Sequence, residues 1–253
     1  MSNAVYYISP EDFESLVPGA AYSLLGDEGH HAKTVKRAEL GEGIDLVNGL
    51  GNRAVTRVEG TVDGGLLLKV QSLALDELGI SIYLVQALAK GNRDIQAIEM
   101  ATELGAHGIV PWSADRSIVR WKMERAAKAH AKWQNTVKAA AKQSRRALLP
   151  PVYQLHSTAD LADLAQELGE RALFLLLHEQ ANYRLSQALA EHLSPAVEEV
   201  YFVVGPEGGI SPRELEILEQ AGAHTVLLGP EVLRSSTAGA AAISALNLAL
   251  GRW

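Results

Sequence analysis

An α/β protein led by a small β-barrel is the fold class this sequence predicts, and three observations predict it. Residues 5–75 carry short or alternating apolar runs punctuated by glycine, the mark of half-buried strands joined by tight turns. The texture changes near Asp76-Glu77-Leu78-Gly79, after which near-continuous apolar runs alternate with helical patterns. The chain has 253 residues, 47% hydrophobic and 21% charged, which is enough to bury a substantial core and to fill two domains. The predicted division is a barrel over 1–75 and an α/β domain over 79–253.

In the first region, 22–25, 44–47 and 54–58 read as strands. Gly49-Leu50-Gly51-Asn52 and Asp63-Gly64-Gly65 are the turns between strands, where glycine accepts positive φ at little cost. In the second region, strands are predicted over 80–86, 108–111, 172–177, 200–204 and 225–228. Their apolar runs hardly alternate, which implies cover on both faces, and strands interleaved with helices imply a mainly parallel sheet. Ser211-Pro212-Arg213-Glu214 combines a capping serine, a first-turn proline and the glutamate of a capping box, and Gly222 stops the helix it opens. The longest predicted helix spans 122–148. Met123, Ala126, Ala127, His130, Trp133, Val137, Ala140, Ala141, Ser144 and Leu148 share its apolar face, and Pro150-Pro151 ends it. A last helix over 239–250 is small and apolar, so it is expected to be buried against the sheet or against a partner subunit.

Composition removes several functions. There is no cysteine, hence no disulfide, thiolate metal site or cysteine nucleophile. His30 and His31 are adjacent, which on a strand sends them to opposite faces, and no metal is expected. Met1-Ser2-Asn3-Ala4 lacks the regions of a signal peptide, and no apolar run reaches bilayer length. A cytoplasmic location is therefore expected.

The net charge of −7 hides a strongly basic segment. Between Asp115 and Arg146 ten cations face two anions, so this stretch carries +8 and the rest of the chain −15. Arg125, Lys128, Lys132, Lys142 and Arg145 fall largely on the polar face of the long helix, either as a solvated stripe or as a contact for a polyanion.

Three strand ends carry the chemistry. Phe202-Val203-Val204-Gly205-Pro206-Glu207-Gly208-Gly209-Ile210 is a buried strand that breaks into a glycine loop before a capped helix. The carboxyl ends of strands in open α/β sheets are where ligands bind, and glycine admits close backbone approach. The loop is neither a dinucleotide fingerprint nor a P-loop, and by itself it also fits a structural turn. Leu227 to Ala238 joins the next strand to the last helix, and Leu175-Leu176-Leu177-His178-Glu179 supplies the third end.

With these segments in order, the chain resembles the ribosomal RNA small subunit methyltransferase E family of the SPOUT superfamily. The resemblance is carried by Gly205-Pro206-Glu207-Gly208-Gly209, by Leu228-Gly229-Pro230 with Val232-Leu233-Arg234 and Thr237-Ala238, by Lys90-Gly91-Asn92-Arg93 and by Glu103-Leu104-Gly105. His30-His31, Val35-Lys36-Arg37 and Asn48-Gly49-Leu50-Gly51 extend it to the opening domain, so it covers nearly the whole chain. It implies a PUA-like β-barrel followed by a SPOUT domain with a C-terminal trefoil knot. It also implies a homodimer that methylates N3 of a uridine in 16S ribosomal RNA, in the small ribosomal subunit, with S-adenosyl-L-methionine as donor. A related enzyme acting on another RNA site or atom, and a non-catalytic RNA-binding assembly factor, are the alternatives.

Carried onto this chain, the donor pocket would comprise Leu176, Leu177, His178, Gly205, Pro206, Glu207, Gly208, Gly209, Leu228, Gly229, Leu233, Ser235, Ser236, Thr237 and Ala238. Uridine N3 must lose a proton before it can attack, so either a base or a cation that stabilises the uridine anion is expected. Arg234 can supply that charge, or bind phosphate or brace the knot; Glu207 can act as base or simply cap its loop. Lys33, Lys36, Arg37, Lys90, Arg93, Arg116, Arg120, Arg145 and Arg146 are the expected RNA contacts. Where many members of the family carry a glutamate between two threonines, this chain has Ser235-Ser236-Thr237.

Overall fold

The computed structural model describes residues 3–76, 79–122 and 124–253. Met123, expected on the long helix, and Glu77 and Leu78, at the expected boundary, lie outside the described residues. The chain forms two compact units. One is Met1–Leu78 with Ala141–Leu149, the other Gly79–Ala140 with Pro150–Trp253.

The first unit is built on β1 (Ala4–Tyr7), α1 (Pro10–Glu14), β2 (Ala21–Leu24), α2 (Gly26–His30), β3 (Gly43–Val47), β4 (Asn52–Val62) and β5 (Gly65–Leu75). The sheet order is β1-β3-β4-β5-β2, with β1 parallel to β3 and every other pair antiparallel. Register shifts within β4 and β5, at Val55/Thr56 and Val58/Gly60, bend this ribbon. Tyr6, Phe13, Ile44, Leu46, Leu66 and Leu68 fill its core. The two adjacent histidines are helical rather than extended: α2 runs straight into a π-helical turn over His31–Val35. The His31 ring meets Tyr6 edge-on while His30 faces Thr34.

The second unit contains β6 (Ser81–Ala87), α3 (Arg93–Glu103), β7 (Gly108–Trp112), α4 (Glu124–Gln143), α5 (Thr158–Leu168), β8 (Ala172–Leu177), α6 (Leu185–His192), β9 (Glu199–Val204), α7 (Pro212–Gln220), β10 (His224–Val226) and α8 (Ser235–Ala249). Its five strands are all parallel, in the order β10-β8-β9-β6-β7. One face carries Val85, Val110, Trp112, Phe174, Leu176, Tyr201 and Val203 against α5 and α7. The alternate residues, Leu84, Leu175, Phe202 and Val204 among them, are buried on the opposite face, where α3 and α8 pack. Double cover explains the unbroken apolar runs. The α7 capping box forms as its residues dictate, with Ser211 as N-cap, Pro212 in the first turn and Glu214 returning a bond to the cap.

The predicted helix over 122–148 is shorter than expected. It ends at Gln143; Arg145 then takes a left-handed conformation at φ 60°, and 146–149 runs out as part of the first unit. There Tyr7 Oη donates to the Arg146 carbonyl at 2.8 Å, Arg53 Nη2 donates to the Arg145 carbonyl at 3.0 Å, and Leu148 bridges Gly49 and Leu50. The apolar pattern that looked like further helix belongs to Ala147, fully buried with Val5 and Val47. The proline pair that follows could not have continued a helix in any case.

Gly65 opens β5 where a Cβ would coincide with the Leu24 carbonyl oxygen, a backbone atom of the paired strand. We expect Gly65→Ala to lower stability by about 1–3 kcal/mol, the usual cost of forcing extra volume into a packed site. Thermal unfolding of the whole chain checks it, and an unchanged melting temperature contradicts it.

Candidate functional site at the carboxyl ends of the sheet

The second unit reaches its far sheet edge at β10, yet its last helix packs against β6, β9 and α3. Residues 227–234 must therefore return across the carboxyl ends of β8 and β9. A Cβ on Gly239 would stand 2.6 Å from Leu84 Cδ1, so glycine is what lets α8 lie this close to the sheet.

A cavity of about 600 Å³ opens where this returning segment meets the ends of β8 and β9, a size suited to a small organic ligand. Leu177 and His178 approach from β8. Gly205, Pro206, Glu207, Gly208 and Gly209 form a wall after β9, and Leu233, Arg234, Ser235 and Ala238 close it from the last loop and helix. Leu228 and Gly229 line a smaller adjoining recess that shares Leu177, His178, Leu233 and Ala238. Three of the expected residues lie elsewhere in contact terms. Leu176 is a fully buried core residue of β8, Ser236 is buried in the first turn of α8, and the Thr237 hydroxyl donates to the Arg234 carbonyl at 3.2 Å. None of these three lines the cavity.

The glycine loop is shaped by steric need. Gly209 sits at φ +74°, and a Cβ on Gly205 would come within 2.8 Å of Ile210 Cγ1. Gly208 lies under Arg116, where a Cβ would be 3.1 Å from the arginine Cβ, and Arg116 Nη1 donates to the Gly208 carbonyl at 3.0 Å. Ser235 lines the cavity with part of its surface, while its hydroxyl oxygen is buried and has no hydrogen-bond partner among the described residues.

One ion pair stands in the cavity wall. Glu207 Oε1 accepts from Arg93 Nη1 at 2.8 Å and from the Lys90 backbone N–H at 3.2 Å. Partial burial pushes the Glu207 carboxyl up, but its own backbone N–H, the Arg93 guanidinium and the Lys90 N–H outweigh it and hold the group below its ordinary value. Arg93 and Arg116, expected as RNA contacts, both line the cavity, as do Glu179 and Gln180, which sequence reasoning did not single out. Their signal was position: Glu179 and Gln180 follow His178 directly at the same strand end. Arg234 is exposed, and among the described residues its side chain forms no hydrogen bond or ion pair.

The other expected RNA contacts differ in availability. Lys90, Lys36, Arg37 and Arg145 are exposed. Lys33 Nζ is half-buried and donates to the Val62 carbonyl at 2.8 Å. Arg120 donates to the Ala114 carbonyl at 2.6 Å and the Asp115 carbonyl at 2.8 Å, so it braces its own loop. Arg146 is the poorest fit to a phosphate contact: it is half-buried, and burial pulls its guanidinium down to about 10. On α4, Arg125 and Lys128 are exposed, Lys132 is turned to Asn92 and Lys142 pairs with Glu28.

Comparison with known proteins agrees on both units. Residues 76–247 match the RNA methyltransferase domain family, and residues 24–71 match the RNA methyltransferase PUA domain family. The chain is 41% identical to a ribosomal RNA small subunit methyltransferase E of Mycobacterium bovis over 93% of this chain and 89% of that one. It is 31% identical to the protein of that name from Bacillus subtilis, over 89% of each. Among solved structures it resembles a ribosomal RNA small subunit methyltransferase E from Neisseria gonorrhoeae bound to S-adenosyl methionine, at a TM-score of 0.81 and 27% identity over 98% of both chains.

The ion pair at the glycine loop has a measurable signature. Glu207 stays ionised down to below its ordinary value, so the Arg93 pair persists at neutral pH and is lost as pH falls through that lowered value. Arg93→Ala leaves the burial and removes a main opposing cause, so the Glu207 carboxyl should then titrate at higher pH. Carboxyl-carbon NMR of the two proteins reads it directly, and identical titrations would refute the pairing.

Proposed function

The chain belongs to the ribosomal RNA small subunit methyltransferase E family, and from that premise we propose that it methylates N3 of a uridine in 16S ribosomal RNA within the small subunit. It is an S-adenosylmethionine-dependent ribosomal RNA methyltransferase. The observation that carries the reading is the convergence of three strand ends on one cavity that offers a glycine wall and apolar faces. Those residues fit the donor: Leu177, Leu233 and Ala238 for an apolar ring, backbone groups of 205–209 for polar edges. The donor supplies a methyl already activated by its sulfonium.

The chain's own task is orientation and water exclusion. The uridine N3 proton must leave, and negative charge then spreads over O2 and O4. Arg234, exposed at the rim without an internal partner, is our choice to stabilise that charge. Glu207 is a weak base while Arg93 holds it, because a carboxyl kept acidic is poorly matched to a weakly acidic N–H. Its role in this reading is to tie the glycine loop to the segment after β6. Lys90 and the outer face of α4 are read as phosphate contacts, and Arg116 as part of the donor cavity wall.

We also infer a homodimer, with the returning segment as part of a trefoil knot. An apolar groove of about 820 Å³ runs between α6 and α8, lined by Leu185, Leu189, Leu193 and Leu248, and Leu248 is 67% exposed. Apolar surface of this extent calls for cover, and Leu228 and Gly229 line both this groove and the donor recess. No helix among the described residues is long and apolar enough to cross a membrane, and the proposed substrate implies the cytoplasm.

Two measurements test the reading. Methyl-labelled donor incubated with small subunits from a strain lacking the enzyme should yield label on uridine N3; label on a carbon or a ribose would overturn the N3 assignment. In the same assay Arg234→Ala should cut turnover by about 100-fold, as loss of an anion-stabilising group does, with donor affinity little changed. For the assembly, light scattering should give twice the chain mass for the wild type, with Leu248→Glu reducing it to one chain.

A further inference from the structure

Glu214 does more than cap a helix. Its side chain is fully buried, and its two oxygens divide their work between two structures. Oε2 accepts from the Ser211 backbone N–H at 3.0 Å, which is the capping box of α7. Oε1 accepts from the Asp115 backbone N–H at 2.7 Å and from the Thr158 hydroxyl at 2.9 Å. Thr158 in turn accepts from Trp112 Nε1 at 3.2 Å, so its proton is committed to Glu214. A capping glutamate ordinarily sits at the surface and needs only the first of these bonds. Here one enclosed carboxylate fastens the segment after β7 to the segment after β9.

What the fastening holds is Arg116. The residue before it, Asp115, is fixed at its backbone by Glu214. Its side chain is fixed by Ser211 Oγ at 2.8 Å and by Arg213, whose Nη2 reaches Oδ1 at 2.8 Å. Arg116 then lies across Gly208 and Gly209, donates to the Gly208 carbonyl and lines the cavity. Ser117, the next residue, is buried with a hydroxyl unpartnered among the described residues; its N–H and Arg120 bond the Ala114 and Asp115 carbonyls and brace the segment from within, while Glu214 ties it to the loop after β9.

We propose that Glu214 is a positioning residue for methyl-donor binding, acting through Asp115 and Arg116 on the glycine wall of the cavity. The inference rests on the donor reading of that cavity. The chemistry makes Glu214→Gln informative, because the amide keeps the volume but has only one oxygen. Whichever way it turns, its NH₂ faces a backbone N–H, either that of Ser211 or that of Asp115, and an acceptor is lost. Either way the bridge between the segment after β7 and the start of α7 loses one of its two ends.

The test is a double-mutant cycle on the full chain with Glu214→Gln, Arg116→Ala and the pair, read by calorimetry with S-adenosylmethionine and by steady-state kinetics on small subunits. Each single variant should weaken donor binding about 10-fold, and the pair should be no weaker than either, as residues acting through one another require. The loss should fall on the donor KM, with kcat at saturating donor within about 3-fold of wild type; a merely structural role lowers the melting temperature without that split. Multiplying losses in the pair, or Arg116→Ala binding donor as tightly as wild type, overturns the proposal. The second outcome does so even if Glu214→Gln fails to fold. A wild-type protein that binds no donor would instead overturn the functional reading of the cavity.

Discussion

The return of the chain across its own sheet is the constraint from which the site follows. β10 lies at one edge of the sheet, and α8, which begins only nine residues after that strand, packs against β6 and β9 in its interior. The intervening residues must pass over the carboxyl ends of β8 and β9, and in doing so they roof a space that an ordinary open sheet leaves exposed. Gly239 against Leu84 sets how near the helix comes, and an apolar α8 makes that approach favourable. Cavity, recess and groove are all bounded by this one excursion.

Charge in the second unit is spent largely on fastening loops. Arg93 with Glu207, Arg213 with Asp115, and Glu214 with Asp115 and Thr158 join segments far apart in sequence, while Arg120 braces its own loop. Exposed pairs of this sort contribute little to global stability. Their effect is geometric: the loops at the strand ends have few apolar side chains of their own, so directional bonds decide where they stand. A chain of net charge −7 in this way keeps several of its arginines engaged at the strand ends around the cavity.

Strand positions and the α7 cap were legible because they depend on local pattern. Apolar runs hidden on both faces, and the Ser211-Pro212-Arg213-Glu214 signature, mean nearly the same thing in any context. The long helix was overextended because Ala147 and Leu148 fit a helical face equally well. What ended it was a partner surface of the first unit, Tyr7, Arg53 and the 49–51 loop, remote in sequence. The helical His30-His31 segment was missed for a similar reason, since Gly29 there packs against the Leu24 and Gly64 carbonyls in a way no local period reports.

By itself the sequence determined the two-part architecture, the parallel character of the second sheet, the three loops that line the cavity and, through the order of its motifs, the family. These follow from periodicity, turn chemistry and residue order, which are properties of neighbours along the chain. Only the tertiary structure decided which cations are available, that Glu207 is held acidic by backbone N–H groups and Arg93, that Leu176 and Ser236 turn away from the cavity, and that the capping Glu214 reaches a second loop. Those outcomes depend on burial and on partners brought together from distant segments, and neither quantity is a function of local sequence.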